Sequence, residues 1–191
     1  MEKWEINGQT LEFSEASHIY LLDGIIIPSV TQVLSRKFPE EYARVSQKTL
    51  AAAAERGTAI HKSIENYCNG QDDGTEAVWD FKRLQKRHGI EPLANEIPVI
   101  IEGRIAGRLD MIAEIDGHTA VADIKTTATL NKEKLTYQLN LYKAGVEDSL
   151  DCEEITKLYG IHIRDGKAKL VEVPILEGNE WKEELLNLAE A

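Results

Sequence analysis

Two cysteines, three phenylalanines and five prolines in 191 residues rule out several kinds of protein at once. Cys68 and Cys152 are too few for a disulfide framework, a zinc knuckle or an iron–sulfur cluster. No apolar run approaches the roughly 20 residues that a membrane-spanning helix needs. The start, MEKWEINGQT, lacks the basic and then apolar stretches of a signal peptide, so the expectation is a cytoplasmic protein with no membrane contact. Positive charge is also short: 22 Lys and Arg stand against 33 Asp and Glu, a formal net charge of −11. That balance argues against coating nucleic acid by bulk electrostatics. It leaves room for an enzyme that grips phosphates locally and through a metal. No internal repeat, low-complexity tract or linker interrupts the chain.

What is present is ordinary for a globular protein, with 42% hydrophobic and 29% charged residues. The length suits one domain over residues 1–191 with a sizeable core. The expected parts are strands and a short helix over 1–35, a core over 40–175 and a helix over 179–191. Basic residues gather in three places: Arg36 and Lys37; Arg44, Lys48, Arg56 and Lys62; and Lys82, Arg83, Lys86, Arg87 and His88. Each cluster reads as a solvated helix face, and the second and third equally as contacts for nucleic acid.

The chain is organised around GRLDMIAEIDGHTAVADIKTT, residues 107–127. Asp116-Gly117 between alternating apolar residues signals a hairpin, because both central positions of a type I′ turn need positive φ. A two-residue loop sets Ile115 against His118, and counting outward sets Asp110 against Asp123 and Arg108 against Lys125. Carboxylates facing each other across a ladder lie roughly 5 Å apart at Cβ and repel. Asp is also disfavoured inside strands. A hard divalent cation turns that repulsion into ligation, since Mg²⁺ is bound through one or two carboxylates. Lys125, two residues past Asp123, points to the same side. It can act on an attacking water or simply form an ion pair with either aspartate.

The rest of the chain supplies helices and further strands. Residues 3–28 read as short strands turning at Asn7-Gly8 and Asp23-Gly24, followed by a short helix through Leu34 capped by Ser29 or Thr31. Residues 39–67 are helical and alanine-rich, with a break expected at Gly57-Thr58 and Thr58 capping the second piece. His61 and Glu65 then share one face. A helix over 76–88 has Val78, Trp79, Phe81 and Leu84 as its core set, and Gly89 ends it. A strand over 96–102 feeds the hairpin. Beyond Thr127 a helix over 132–144 turns Leu135, Gln138, Leu139 and Tyr142 inward. A second hairpin turns at Asp165-Gly166. Taken singly, His61, Glu96, Gln138 and Tyr142 read as core or boundary residues.

Their order along the chain says more. Glu55-Arg56-Gly57-Thr58…His61, then Gly107-Arg108-Leu109-Asp110, then Asp123-Ile124-Lys125-Thr126, then Gln138…Tyr142 resembles the PD-(D/E)XK nucleases of the RecB-like and lambda-exonuclease-like group. His18…Tyr20…Asp23-Gly24…Pro28-Ser29-Val30-Thr31 resembles the amino-terminal segment of phage members, so the likeness spans about residues 18–145. The resemblance implies an α/β, restriction-endonuclease-like core, with a central mixed β-sheet flanked by helices and an N-terminal β-hairpin segment. It implies that Asp110, Asp123 and the Ile124 main-chain carbonyl ligate Mg²⁺ or Mn²⁺, with His61 and Glu96 as further ligands. Lys125 would act on the water, and Gln138 and Tyr142 would brace the site. Arg56, Thr58, Lys62, Arg108 and Thr126 would meet DNA. Asp123 stands where many relatives have Glu. The activity implied is a metal-dependent DNA exonuclease in phage-type recombination or DNA processing. A single-strand annealing protein and further copies of the chain are the partners implied. Two alternatives stay open: an endonuclease on branched DNA using the same site, and a non-catalytic DNA-binding or docking module on a nuclease fold.

Overall fold

The computed structural model describes residues 1–39, 45–149 and 154–190. Cys152, Ala191 and residues 40–44 of the helix expected from residue 39, Arg44 among them, lie outside the described residues, and Pro39, Val45 and Ser46 are not helical. Among the described residues no helix is long and apolar enough to cross a membrane.

Four short strands, β1 (Glu2–Ile6), β2 (Gln9–Ser14), β3 (Ile19–Leu22) and β4 (Ile25–Ile27), form an antiparallel sheet in that order. Asn7-Gly8 and Asp23-Gly24 turn two of its hairpins, all four residues with positive φ. Helix α1 (Val30–Lys37) follows, three residues longer at its end than the sequence suggests. Ser29 caps it in a box with Gln32: each side chain takes a backbone N–H of the other.

Helix α2 (Gln47–Cys68) runs unbroken through Gly57-Thr58, which corrects the expected division. Thr58 is an interior residue, and the N-cap is Ser46. Glycine within a helix costs about 1 kcal/mol relative to alanine. Here it permits close packing, since a Cβ at Gly57 would stand 3.1 Å from Thr126 Oγ1. Helix α3 (Glu76–His88) ends at Gly89 in the left-handed conformation, as expected. Trp79, expected in the core, is 55% exposed, while Asp80 is buried. Trp79 instead stacks under the Lys82 ammonium, 4.7 Å from its ring.

The second sheet has five strands in the order β5 (Glu91–Ile101), β6 (Ile105–Ile115), β7 (His118–Lys125), β8 (Lys157–Arg164) and β9 (Lys167–Val173). Neighbours are antiparallel except β7 and β8, which α4 (Lys132–Ser149) connects as a parallel crossover. α5 (Glu180–Glu190) ends the described chain. One face of this sheet packs under α1, α4 and α5, with Leu109, Ile112, Val121, Leu139 and Val146 in that core. The other packs under α2 and α3, with Ile64, Phe81, Met111, Ala122 and Ile124. The first sheet closes a third core onto Ile100 and Ala106.

Candidate active site

The β6–β7 hairpin has the register expected at its tip: Ile115 pairs with His118, and the ladder runs out to Met111 and Ala122. There it stops. Asp110 and Asp123 come next, but the strands part, so the expected facing of Arg108 and Lys125 does not form. On their other edges the strands stay paired, Arg108 with Pro98 on β5 and Lys125 with His162 on β8. Alternation along β6 slips at this same point: Leu109 and Ile112 both join the core under α4, while Met111 joins the opposite one. Across β5, the pairs Asn95–Met111 and Ile97–Leu109 leave Glu96 opposite Asp110, with a φ of 51°. A left-handed non-glycine residue inside a strand is uncommon, and it marks where the backbone bends.

A cavity of about 420 Å³ opens at the parting, and Asp110, Asp123, Lys125, His61, Gln138 and Tyr142 all line it, with Thr58, Glu96 and Arg108. Because it lies where the hairpin splits, α2 reaches it from one layer and α4 from the other. Asp110 Oδ2 accepts a hydrogen bond from the Ile124 N–H at 2.6 Å. In an extended residue the N–H and C=O point to the same side of the strand. The Ile124 carbonyl therefore faces the gap that Asp110 enters. Asp110 Oδ1 lies 3.2 Å from His61 Nδ1. Asp123 Oδ1 accepts from Gln138 Nε2 at 3.0 Å, and its Oδ2 lies 2.6 Å from Lys125 Nζ. Gln138 also reaches the Tyr142 hydroxyl at 3.5 Å.

Charge in this cavity is matched pair by pair. Burial alone would raise the Asp110 carboxyl, but His61, Lys125 and the Ile124 N–H outweigh it and hold it below the usual range. Burial would lower His61, yet Asp110 overrides it and lifts the imidazole to about 9. Asp123 goes the other way: burial and its negative neighbour Asp110 push it up against the pull of Lys125. Glu96 rises to about 7, by burial first and Asp110 second. Arg108 Nε holds Glu96 Oε2 at 2.7 Å, and its Nη1 holds Glu2 at 3.0 Å. The guanidinium also lies 5.4 Å from the Phe13 ring centroid.

The donor set fits a hard cation that keeps part of its water. Among the described residues no group of three or more His, Cys, Asp and Glu is gathered as a metal cage. Two aspartates and a strand carbonyl at the edge of an open cavity are instead what Mg²⁺ takes when it retains several waters.

Three expected DNA contacts lie outside the cavity. Lys62 pairs with Glu65 on the exposed side of α2. Arg56 and Thr126 line a neighbouring groove. The cavity also has a wall that residue-by-residue reading passes over: Phe13 and Tyr20 from the first sheet, His18 from the turn between β2 and β3, and Ser29 and Thr31 at the start of α1. Phe13 and Tyr20 are register partners on β2 and β3, so period-two alternation is the signal that puts both on one face. Burial lifts the Tyr20 phenol to about 12.

Residues 71–191 match the PD-(D/E)XK nuclease superfamily. No curated protein matches the chain. A solved structure described as "Crystal structure of SSO0001" is similar at 16% identity and a TM-score of 0.48, covering 85% of this chain and 72% of that one.

Proposed function

Because the chain belongs to the PD-(D/E)XK nuclease superfamily, we propose that it is a Mg²⁺- or Mn²⁺-dependent deoxyribonuclease that digests DNA from its ends. The observation that carries this reading is the convergence of Asp110, Asp123 and Lys125 on one cavity at the split of a hairpin. Asp110, Asp123 and the Ile124 carbonyl would hold the cation, with His61 and Glu96 beside them. The cation's chemistry is that of a Lewis acid, drawing charge from a phosphate oxygen and making water a better nucleophile.

The side chains divide the remaining work. Hydrolysis adds water to phosphorus and breaks one P–O ester bond, and the leaving oxygen departs with a proton. Lys125, 2.6 Å from Asp123, sits where it can fix the attacking water and offset charge on the non-bridging oxygens. Gln138 holds Asp123 in one orientation by a buried hydrogen bond. His61 must give up its proton to become a ligand, so cation binding releases that proton. Arg108, fixed by Glu96 and Glu2, presents a cation to the DNA backbone in an otherwise acidic neighbourhood.

Exonuclease action is supported by the likeness to phage enzymes, as are an annealing partner and a homo-oligomer, for which sedimentation of the purified chain is the check. The deciding assay follows Mg²⁺-dependent nucleotide release from linear DNA and from covalently closed circles, for the parent and for Asp123→Ala. Digestion of linear DNA alone, abolished in the variant, is the expected result. Equal activity in the variant defeats the catalytic assignment, and cleavage of circles makes the enzyme an endonuclease.

A further inference from the structure

The N-terminal half of α2 stands away from the body of the molecule. Of its 22 residues only Ile64 is buried, and Ala51, Ala52 and Ala54 are exposed. Between this half-helix and the segment after β7 runs a groove of about 820 Å³. It meets the catalytic cavity at Ala54 and Gly57, which line both. Its cations are Lys48 and Arg56 on the helix and Arg164 on the facing wall, and among the described residues no carboxylate lines it. In a chain with 33 acidic and 22 basic residues, that imbalance is local and of the opposite sign. Arg164 is aimed by a 3.2 Å hydrogen bond from its Nη1 to the Thr126 carbonyl, while its Nε pairs with the exposed Asp165 at 3.2 Å. Lys125 acts in the cavity and Thr126 lines the groove, so one strand end serves both.

We propose that this groove holds one unpaired DNA strand running to or from the catalytic cavity, with phosphates on Lys48, Arg56 and Arg164 and bases against the alanine wall. The inference rests on the nuclease reading and adds a substrate class to it: DNA with a single-stranded end. A positively charged groove that tracks the backbone is one part of how single strands are bound without sequence preference; the base-facing part, aromatic in many such grooves, falls here to alanine methyls. A volume of about 820 Å³, within the range of small-ligand clefts, matches a few nucleotides of one strand. Methyl groups offer base faces an apolar surface but read no base edge, so the groove tolerates any sequence.

The test measures anisotropy of a fluorescein-labelled thymidine oligonucleotide, and of a blunt duplex of equal length, across a salt series in EDTA. The proteins are the full chain and its Lys48→Ala/Arg56→Ala and Arg164→Ala variants, all changed at the groove surface. The single strand is expected to bind more tightly than the duplex. The double variant should flatten its log affinity against log salt slope by about 1.4, roughly 0.7 for each phosphate no longer neutralised, and Arg164→Ala by about half of that. An unchanged slope in both variants overturns the proposal, as does a duplex that binds equally well and responds equally. EDTA removes turnover, so a chain that binds in this way yet cleaves nothing refutes only the catalytic reading.

Discussion

Asp110 takes the Ile124 N–H at 2.6 Å, a hydrogen bond that a strand carbonyl of β6 would accept if the ladder continued. One carboxylate thus ends the pairing, opens the cavity and turns the Ile124 carbonyl toward it. Asp110→Ala leaves that N–H without its acceptor, at a cost of about 1–3 kcal/mol. Asp110→Asn keeps an acceptor and should recover most of the stability while still binding Mn²⁺ weakly. Urea unfolding and calorimetry on the two variants separate the roles. Equal destabilisation by both would show that the hydrogen bond is not what holds the split.

The matched pairs alter how the unloaded site should be pictured. From the hairpin register alone, two aspartates meet and repel until an ion arrives. In the structure His61 faces one and Lys125 the other, so the cation enters a site that is already compensated. Metal affinity should therefore fall with acidity as protons compete for His61, and titration with Mn²⁺ in a weak buffer should register proton release.

Stability of the metal-free chain carries the same signature. The folded state holds the His61 proton up to about pH 9, against an ordinary value of 6.5. A raised value stabilises the fold fully below pH 6.5, and the contribution is lost as pH rises through about 9. Glu96, raised from 4.5 to about 7, loses its contribution earlier, between those values. Between pH 7.5 and 9 the decline belongs to His61. The melting temperature in EDTA should fall over that window in the parent and stay flat in His61→Gln. A parallel fall in both would remove the imidazole as the cause.

Much of this is legible in the chain, for identifiable reasons. Asp-Gly turns fix register, so Ile115 against His118 follows directly, as does the second hairpin at Asp165-Gly166. Inward-facing Gln138 and Tyr142 follow from helical period. The slip at Asp110 does not, because it comes from a side chain displacing a backbone acceptor and from a left-handed Glu96, neither of which leaves a compositional trace. Gly57 reads as a helix break because glycine is a poor helix former. Its reason is a partner 69 positions away, Thr126, which local pattern cannot supply.

Gly107 has a similar long-range reason. A Cβ there would stand 2.8 Å from Tyr142 Cε1 and 3.0 Å from Val30 Cγ2. Gly107→Ala should destabilise by about 1–3 kcal/mol, as overpacking does. Combining it with Tyr142→Leu should return part of the loss, which thermal melts of the three variants can measure. No recovery in the double variant would point to Val30 as the obstruction.

Lys125 separates binding from chemistry. Its ammonium is 2.6 Å from Asp123 Oδ2, so removing it strips a counter-charge from a buried carboxylate that burial already pushes upward. Lys125→Met therefore has two expected effects of different size. Because lysine is not a cation ligand, Mn²⁺ affinity should fall far less in Lys125→Met than in Asp110→Ala. Turnover should fall by about 10²–10⁴, the range associated with loss of a group that moves or fixes a proton. Calorimetry and single-turnover cleavage of labelled DNA read the two quantities independently. If Lys125→Met loses Mn²⁺ affinity as completely as Asp110→Ala, the lysine is holding the metal site together and the division of labour between the two residues fails.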